Sequence, residues 1–302
     1  MNLHDSPLCE LFGIELAIVQ APMANNAPPA LAAAVSEAGA LGSVAGATLS
    51  RGELRAAIRE VRAATDRPFA VNVFAPPYLE DETLEVVLDE RPRVCSVSFG
   101  VLDPAPLCEA GILTLGTATT DEEARALEQA GVDALVAQGA EAGGHRGSFL
   151  DGFPLVPLAE LVPACADAVS VPVVAAGGIV DGARIAQLLR LGAAGVSLGT
   201  AFLFTPEAGR PPEHLEALRS LETVVTDAYS GRPMRAARTP VLEELMAGPS
   251  PLPFPEQRKV AAEKGQLFMG GTGASQGREL AAAELVRLLV EEAEAAVSSY
   301  SD

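Results

Sequence analysis

The chain has 302 residues, of which 49% are hydrophobic, so it can bury a large core as one α/β barrel or as two smaller domains. Its formal net charge of −19 argues against a main function in binding nucleic acid or an anionic membrane. No run of apolar residues is long enough for a membrane span, and the amino-terminal segment lacks the features of a secretion signal, so we expect a cytoplasmic protein.

Short apolar runs alternate along the chain with windows rich in Ala, Glu and Arg, which is the spacing of repeated βα units. The predicted strands, in chain order, are Ala17–Ala21, Leu41–Ala45, Phe69–Phe74, Val94–Ser98, Ile112–Leu115, Asp133–Ala137, Val171–Ala175 and Gly195–Leu198. The predicted helices between them are Pro29–Ala38, Arg51–Ala64, Glu80–Glu90, Asp103–Ala110, Asp121–Ala130, Leu155–Ala168 and Asp181–Leu191, with Asp121 and Asp181 as N-caps. This order predicts a parallel (β/α)8 barrel of the TIM type, with a doubly wound open sheet as the alternative.

The regular alternation stops near the end of the eighth strand, so we assign residues 1–202 to the barrel. Residues 203–277 are predicted to form a smaller, mostly helical domain that covers the barrel rim as a lid. Within it, the apolar segment Pro249–Phe254 belongs either to this lid or to a contact in a homodimer. Residues 278–302 carry an apolar stripe with helical spacing and are predicted to form a helix that packs back on the barrel.

The most informative stretch is Gln138–Gly147, which combines four glycines with a carboxylate, an imidazole and a guanidinium directly after a predicted strand. Glycine lets the backbone approach a ligand closely, and histidine can move a proton near neutral pH. A lone histidine in a loop more often has a structural or solvated role. Here the chain contains only three histidines, and the other two, His4 and His214, lie in the amino-terminal segment and in a helix start rich in Pro and Glu. The sequence therefore predicts an enzyme with His145 in its active site.

Other unusual residues also follow predicted strands, and the carboxyl ends of barrel strands form the rim where chemistry takes place. Gly177-Gly178 follows the seventh strand and Gly199-Thr200 the eighth, where backbone N–H groups commonly bind phosphate; tight turns alone are the alternative. The amides of Asn72 and Gln138 need hydrogen-bond partners, either a cofactor ring or a neighbouring strand end. Residues 20–23, Gln-Ala-Pro-Met, are suited to line a planar aromatic ring.

The four cysteines are Cys9, Cys95, Cys108 and Cys165. Neither a CxxC pair nor any other metal-ligand spacing occurs among them, so we expect no metal site. Buried free thiols in a reducing compartment are the default interpretation.

These stretches together resemble the nitronate monooxygenase family, formerly called 2-nitropropane dioxygenases, which are FMN-dependent TIM barrels. The matching segments, in the family's order, are Gln20–Met23, Pro29–Ser36, Val97–Phe99, Gln138–Gly147, Ala175–Ile179 and Gly199–Phe202. The segment Glu-Ala-Gly-Gly-His-Arg-Gly is the most specific of them. Ser230–Pro233 and Gly273–Gly277 resemble family elements more loosely.

The resemblance implies non-covalently bound FMN, electron transfer from the substrate to the flavin, and reaction with O2 to give a carbonyl compound and nitrite. The FMN phosphate would lie on Gly178, Gly199 and Thr200. The flavin ring would lie near Ala21, Pro22, Met23, Asn72 and Gln138. Further cofactor contacts are expected from Gly143, Gly144, Gly177 and Ser197. By resemblance, His145 would be the catalytic base for a neutral nitroalkane, or would position a substrate that enters as the nitronate.

Weaker substrate contacts are expected from Ser98, Arg146, Tyr229 and Gln276, and Arg146 would either attract the anion or form a surface salt bridge. The sequence departs from the family pattern at Gly100–Pro104 and at Asn25-Asn26, so we expect a different substrate pocket. The first alternative function is a related flavin reductase, of the enoyl-ACP or quinone reductase type, that uses NAD(P)H. The others are a phosphate-binding barrel without flavin, such as an isomerase, and a flavin-binding protein without catalytic activity.

Overall fold

The structure of the protein is a computed structural model that describes residues 2–150 and 152–299. Strands β1 to β11 in this part of the chain are Ile18–Gln20, Gly42–Ala45, Phe69–Phe74, Val94–Ser98, Leu113–Ala118, Ala134–Gln138, Gly144–His145, Val173–Ala176, Gly195–Leu198, Thr223–Thr226 and Met234–Ala237. Helices α1 to α13 are Pro7–Phe12, Pro29–Glu37, Arg51–Ala64, Asp81–Glu90, Ala105–Glu109, Asp121–Ala130, Leu158–Ala168, Gly182–Arg190, Thr200–Leu203, Pro212–Ser220, Pro240–Met246, Glu256–Ala262 and Ala282–Ser299.

Eight parallel strands form the barrel, in the order β1-β9-β8-β6-β5-β4-β3-β2. The first and last strands of this order meet through a parallel bridge between Val19 and Leu41, which nearly closes the sheet on itself. The predicted (β/α)8 barrel is therefore confirmed, and the open sheet is wrong. Helices cover the outside while side chains fill the inside, which is why most strand residues are buried on both faces.

The fifth strand is longer than the sequence predicted, because Gly116 does not end it. A Cβ atom at Gly116 would lie 2.8 Å from the side chain of Leu127, so the glycine allows α6 to pack closely against β5. The strand continues through Thr117, which reaches the barrel rim and lines the cavity described below.

One of the two predicted N-caps is wrong. The hydroxyl of Thr120, in extended conformation, accepts the N–H of Glu123, and Asp121 is the first residue of α6. Asp181 does cap α8, because its carboxylate accepts the N–H of Arg184 at 2.8 Å.

The region after the barrel contains more strand than predicted. Strands β10 and β11 form an antiparallel pair, and β11 also pairs with β7, which belongs to the loop after β6. The stretch Gln138–Gly147 is therefore held in part by residues about 90 positions further along the chain, as the pairing of His145 with Met234 shows. Helix α13 packs against α8 and α2 on the outside of the barrel. That residues 203–277 act as a lid stays a prediction.

The cysteines are free among the described residues, and not all of them are buried as predicted. Cys95 in β4 and Cys165 in α7 are fully buried, and desolvation raises the pKa of each thiol to about 12. Cys108 is exposed on the short helix α5. The described residues contain neither a cluster of metal-ligating side chains nor a helix long and apolar enough to cross a membrane.

Candidate active site

A cavity of about 540 Å³ lies at the carboxyl ends of the barrel strands, and residues 266–272 border it from the second region. The sequence-predicted residues that line it are Ala21, Pro22, Met23, Asn72, Ser98, Gln138, Gly143, Gly144, His145, Gly177, Gly178, Ser197, Gly199, Thr200 and Tyr229. Residues that are far apart in the sequence thus converge on one rim, as a barrel requires. Two predicted substrate residues, Arg146 and Gln276, do not line the cavity.

The cavity differs in charge from the rest of the protein. The chain contains 40 acidic residues, yet none of the described residues that line the cavity is Asp or Glu. Two arginines line it, Arg210 and Arg258. The nearby carboxylate of Glu141 accepts the N–H of Leu158 and faces Arg184 at 3.7 Å. A concave site with positive groups and no carboxylate on its walls favours anionic ligands.

The loop between β8 and α8 can present free N–H groups to such an anion. Gly177 and Gly178 have positive φ angles of 128° and 63°. A Cβ atom would lie 2.9 Å from the nitrogen of Ala142 at the first position and 2.8 Å from Thr272 Oγ1 at the second, so both positions require glycine. Neither N–H group donates to another described residue. The hydroxyl of Thr200 accepts the N–H of Gly271 and keeps its own hydrogen free to donate.

The two predicted amides are held by neighbouring backbone and side chains. Asn72 Nδ2 donates to the carbonyl of Ser96 at 3.1 Å and to the hydroxyl of Ser98 at 3.2 Å, both on the adjacent strand β4. Gln138 Nε2 donates to the carbonyl of His145 at 3.1 Å, and its Oε1 accepts the N–H of Gly147 at 2.8 Å. Of the two predicted alternatives, the second is therefore confirmed in part: nearby segments of the protein itself provide hydrogen-bond partners for both amides. Both residues also line the cavity, so their contact with a cofactor ring stays a prediction.

Both predictions for Arg146 are wrong, because this residue neither lines the cavity nor forms a surface salt bridge. It is fully buried and donates to the carbonyls of Gly139 at 2.6 Å and Gln138 at 2.9 Å. Arg235 donates to the carbonyl of Ala140 at 2.8 Å in the same way. Since a glycine-rich loop has carbonyls without ladder partners, these two guanidinium groups satisfy them and fix the loop. Gln276 is exposed at the end of a short turn, outside the cavity.

The hydrogen bonds of His145 determine which ring nitrogen carries its proton. His145 Nε2 lies 2.9 Å from Ser230 Oγ, and Ser230 Oγ lies 2.9 Å from the carbonyl oxygen of Arg232. A carbonyl can only accept, so the single hydroxyl hydrogen of Ser230 points to Arg232. His145 Nε2 therefore donates to Ser230, and Nδ1 keeps its lone pair.

The surroundings of His145 keep its ring uncharged. The rings of Phe99 and Phe254 lie edge-on to it, with centroids at 6.0 and 5.5 Å, and the guanidinium of Arg232 stacks on Phe99 at 3.9 Å. Burial, and then the charges of Arg232 and Arg258, lower the pKa of His145 to about 3. His145 is therefore a neutral imidazole near pH 7. The positive potential that keeps it neutral also attracts an anion.

Sequence reasoning missed several residues of this site. Phe254 and Arg258 lie in a part of the chain without a clear motif, and the positive φ of 71° at Phe99 cannot be recognised from the sequence. Ser230 does carry a signal, because it begins the Ser-Gly-Arg-Pro element noted above. His214 was set aside for its poor sequence context, yet it is 3% exposed and lines the cavity.

The fold and the site define a class of protein: an enzyme on a (β/α)8 barrel, with cavity-lining glycines after its seventh and eighth barrel strands and a neutral histidine after the sixth. The profile of the family described as "Nitronate monooxygenase" matches residues 5–292. The chain therefore belongs to the nitronate monooxygenase family and is a flavin-dependent oxidoreductase.

Individual relatives and solved structures are similar to this chain over nearly its whole length. The nitronate monooxygenase of Pseudomonas aeruginosa is 41% identical over 93% of this chain and 97% of its own length. A probable nitronate monooxygenase of Staphylococcus aureus is 35% identical over 91% and 92%. Among solved structures, the nitroalkane oxidase from Streptomyces ansochromogenes has a TM-score of 0.89 and 38% identity over 97% of this chain and 99% of that one. FabK from Thermotoga maritima has a TM-score of 0.85 and 31% identity over 98% of each chain.

Proposed function

We propose that this protein binds FMN and uses O2 to oxidise alkyl nitronates to a carbonyl compound and nitrite. The observation that carries the proposal is the match of residues 5–292 to the nitronate monooxygenase family. The cavity, whose described lining contains two arginines and no carboxylate, is consistent with it. Both the phosphate of FMN and a nitronate are anions, and each suits such a site. Membership of the nitronate monooxygenase family supports the same substrate class.

The residues present fit FMN. The free N–H groups of Gly177 and Gly178 and the hydroxyl of Thr200 would hold its phosphate. Residues 21–23, which line the cavity, would lie against its ring, and Asn72 would border the ring edge. When bound, the flavin accepts electrons from the substrate and passes them to O2.

The state of His145 favours a nitronate over the neutral nitroalkane. A general base works best when its pKa lies near the working pH, and a pKa of about 3 makes His145 a weak base at pH 7. A nitronate has already lost its α-proton and needs no base. For this substrate, the cavity-lining side chains of His145, Phe99 and Phe254 would position the reacting carbon and exclude water, and Arg258 would supply positive potential. A neutral nitroalkane would have to give its proton to His145 Nδ1.

The alternative is a flavin-dependent reductase that uses NAD(P)H. The specific observation in its favour is the likeness to FabK, at 31% identity over 98% of both chains. The cavity charge does not separate the two functions, because the phosphates of NAD(P)H are also anions.

Two assays on the FMN-loaded protein test the proposal. The first follows O2 uptake and nitrite release with ethyl nitronate and with nitroethane at the same pH. We expect nitrite from both, with a larger kcat/KM for the nitronate. The second follows oxidation of NADPH with a quinone or an enoyl thioester as acceptor. NADPH oxidation without any nitrite from the nitronate would replace the proposal with the reductase. His145→Asn is the matched variant, and we expect it to lower the rate with nitroethane more than the rate with ethyl nitronate.

A further inference from the structure

We propose that the same cavity contains a second anion-binding site, built from Arg210 and His214, that takes an oxyanion group. We call these two residues the Arg210–His214 corner. The oxyanion is a phosphate or a carboxylate, carried either by a nicotinamide coenzyme or by the far end of the substrate. The proposal concerns binding alone and does not depend on nitronate oxidation.

The first observation is an unsatisfied buried imidazole. His214, on α10, is 3% exposed, and its Nε2 has no hydrogen-bond partner. Its ring packs against Phe268 at a centroid distance of 4.8 Å, so it is fixed in place. Burying a polar group without a partner costs stability, and such groups in native proteins require an explanation. His214 lines the cavity, and the proposal assigns the missing partner of Nε2 to a ligand bound there.

The second observation is an arginine that lacks a counter-ion. Arg210 donates from Nε to the carbonyl of Ala208 at 2.9 Å, and from Nη1 to the carbonyl of Asn25 at 2.9 Å and to Asn26 Oδ1 at 2.7 Å. Its Nη2 has no partner, and no carboxylate of the described residues lies within 4 Å of it.

Residues 25 and 26 hold the guanidinium of Arg210 in place. Asn25 has a φ of 60°, a left-handed conformation that asparagine adopts more readily than most residues. Its carbonyl is one of the acceptors that fix the guanidinium of Arg210. A cavity-lining guanidinium that is fixed by neutral acceptors and keeps one nitrogen without a partner can bind an anion.

The corner is distinct from the glycine loops that would hold the FMN phosphate. Both border the segment of residues 266–272, but at different points. Phe268 contacts His214, whereas Gly271 bonds to Thr200 and Thr272 lies next to Gly178. We therefore treat the corner as separate from the glycine loops that would hold the FMN phosphate.

Binding of an oxyanion is expected to bring a proton to His214. Burial, and then the charge of Arg210, lower the pKa of His214 to about 4, against the opposing charge of Glu213. Helix α10 packs on residues 274–276, which carry no titratable side chain. An anion beside the ring raises this pKa, so the oxyanion should bind more tightly as the pH falls from 7 towards 5.

The test is a titration of the FMN-loaded protein with sodium phosphate and with sodium acetate, at ionic strength kept constant with chloride. Binding is followed by calorimetry and by the ¹⁵N signals of the imidazole rings, which are few because the chain has three histidines. We expect a Kd of about 10 mM or tighter for at least one of the two anions, with the His214 signal shifting. We expect Arg210→Gln and His214→Gln each to weaken binding about tenfold. Arg287→Gln, which removes an exposed arginine of α13, is the control and should change nothing.

Further titrations distinguish the two sources of the oxyanion. If the ligand is a coenzyme, Arg210→Gln raises the Kd of NADPH, measured without oxygen. If the ligand is the substrate, Arg210→Gln raises the KM of a nitronate with a terminal carboxylate and leaves that of ethyl nitronate unchanged. The proposal is overturned if neither anion binds the wild-type protein or shifts the His214 signal. It is also overturned if both variants, folded as judged by thermal unfolding, bind the anion within twofold of wild type.

Discussion

The low pKa of His145 makes a quantitative prediction about stability. Its pKa is about 3 in the folded protein, against 6.5 for the ordinary side chain. Between these values the unfolded chain binds a proton that the folded protein does not, so the free energy of unfolding rises with pH. The contribution of His145 is therefore fully present above pH 6.5 and is lost progressively as the pH falls towards 3.

At pH 4.5 the lost contribution to the free energy of unfolding corresponds to 6.5 − 4.5 = 2 pH units, or about 2.7 kcal/mol. Because the ring borders an open cavity, screening reduces this value, and at least about 1 kcal/mol should remain. The assay is urea unfolding at pH 7.5 and pH 4.5 for wild type, His145→Gln and the exposed control His4→Gln.

The wild type and His4→Gln should lose more free energy of unfolding between the two pH values than His145→Gln does, by about 1 to 2.7 kcal/mol. His214 adds a similar but smaller loss to all three proteins and cancels in the comparison. Equal losses for His145→Gln and wild type would show that His145 titrates normally, and would refute the argument that burial and the two arginines keep it neutral.

Three further predictions follow from the site. Gly178→Ala should weaken FMN binding about tenfold, because a Cβ atom there would meet Thr272 Oγ1 at 2.8 Å and shift the loop. Flavin fluorescence measures the affinity. Gly111→Ala is the control, because Gly111 also has a positive φ but has open space around it. Arg146→Met should lower the free energy of unfolding by about 2 to 4 kcal/mol, because a buried and a part-buried carbonyl lose charged donors. A change below about 0.5 kcal/mol in urea unfolding would contradict this. Arg258→Ala should raise the KM of ethyl nitronate about fivefold, since it removes positive potential near the reacting group; steady-state nitrite release measures this, and an unchanged KM would remove Arg258 from the site.

The barrel could be predicted from the sequence because its signal is local. Each buried strand is a short apolar run, and each helix has its own amphipathic pattern, so alternation alone indicated a parallel barrel. Within the site, the glycines after β8 were recognisable as a special loop, and the structure requires glycine at both positions because of their positive φ angles and close neighbours. His145 was recognisable because histidine is rare in this chain and here is surrounded by glycines.

The remainder of the site depends on contacts between distant parts of the chain. The strand pairing of His145 with Met234 and the hydrogen bond from His145 to Ser230 join segments more than 80 residues apart. The role of Arg146 depends on which carbonyls lack partners, and this is defined only once the loop is folded. Exposure is also a tertiary property, which is why His214 was misjudged from its Pro- and Glu-rich neighbours.

The most direct test of the central claim is anaerobic mixing of the purified FMN-loaded protein with ethyl nitronate while the flavin spectrum is recorded. The account predicts rapid loss of the oxidised flavin absorbance, followed by release of nitrite when O2 is admitted. A flavin that is unchanged by the nitronate but is bleached by NADPH would contradict the account and favour the reductase. A purified protein that neither contains nor binds FMN would contradict both functions.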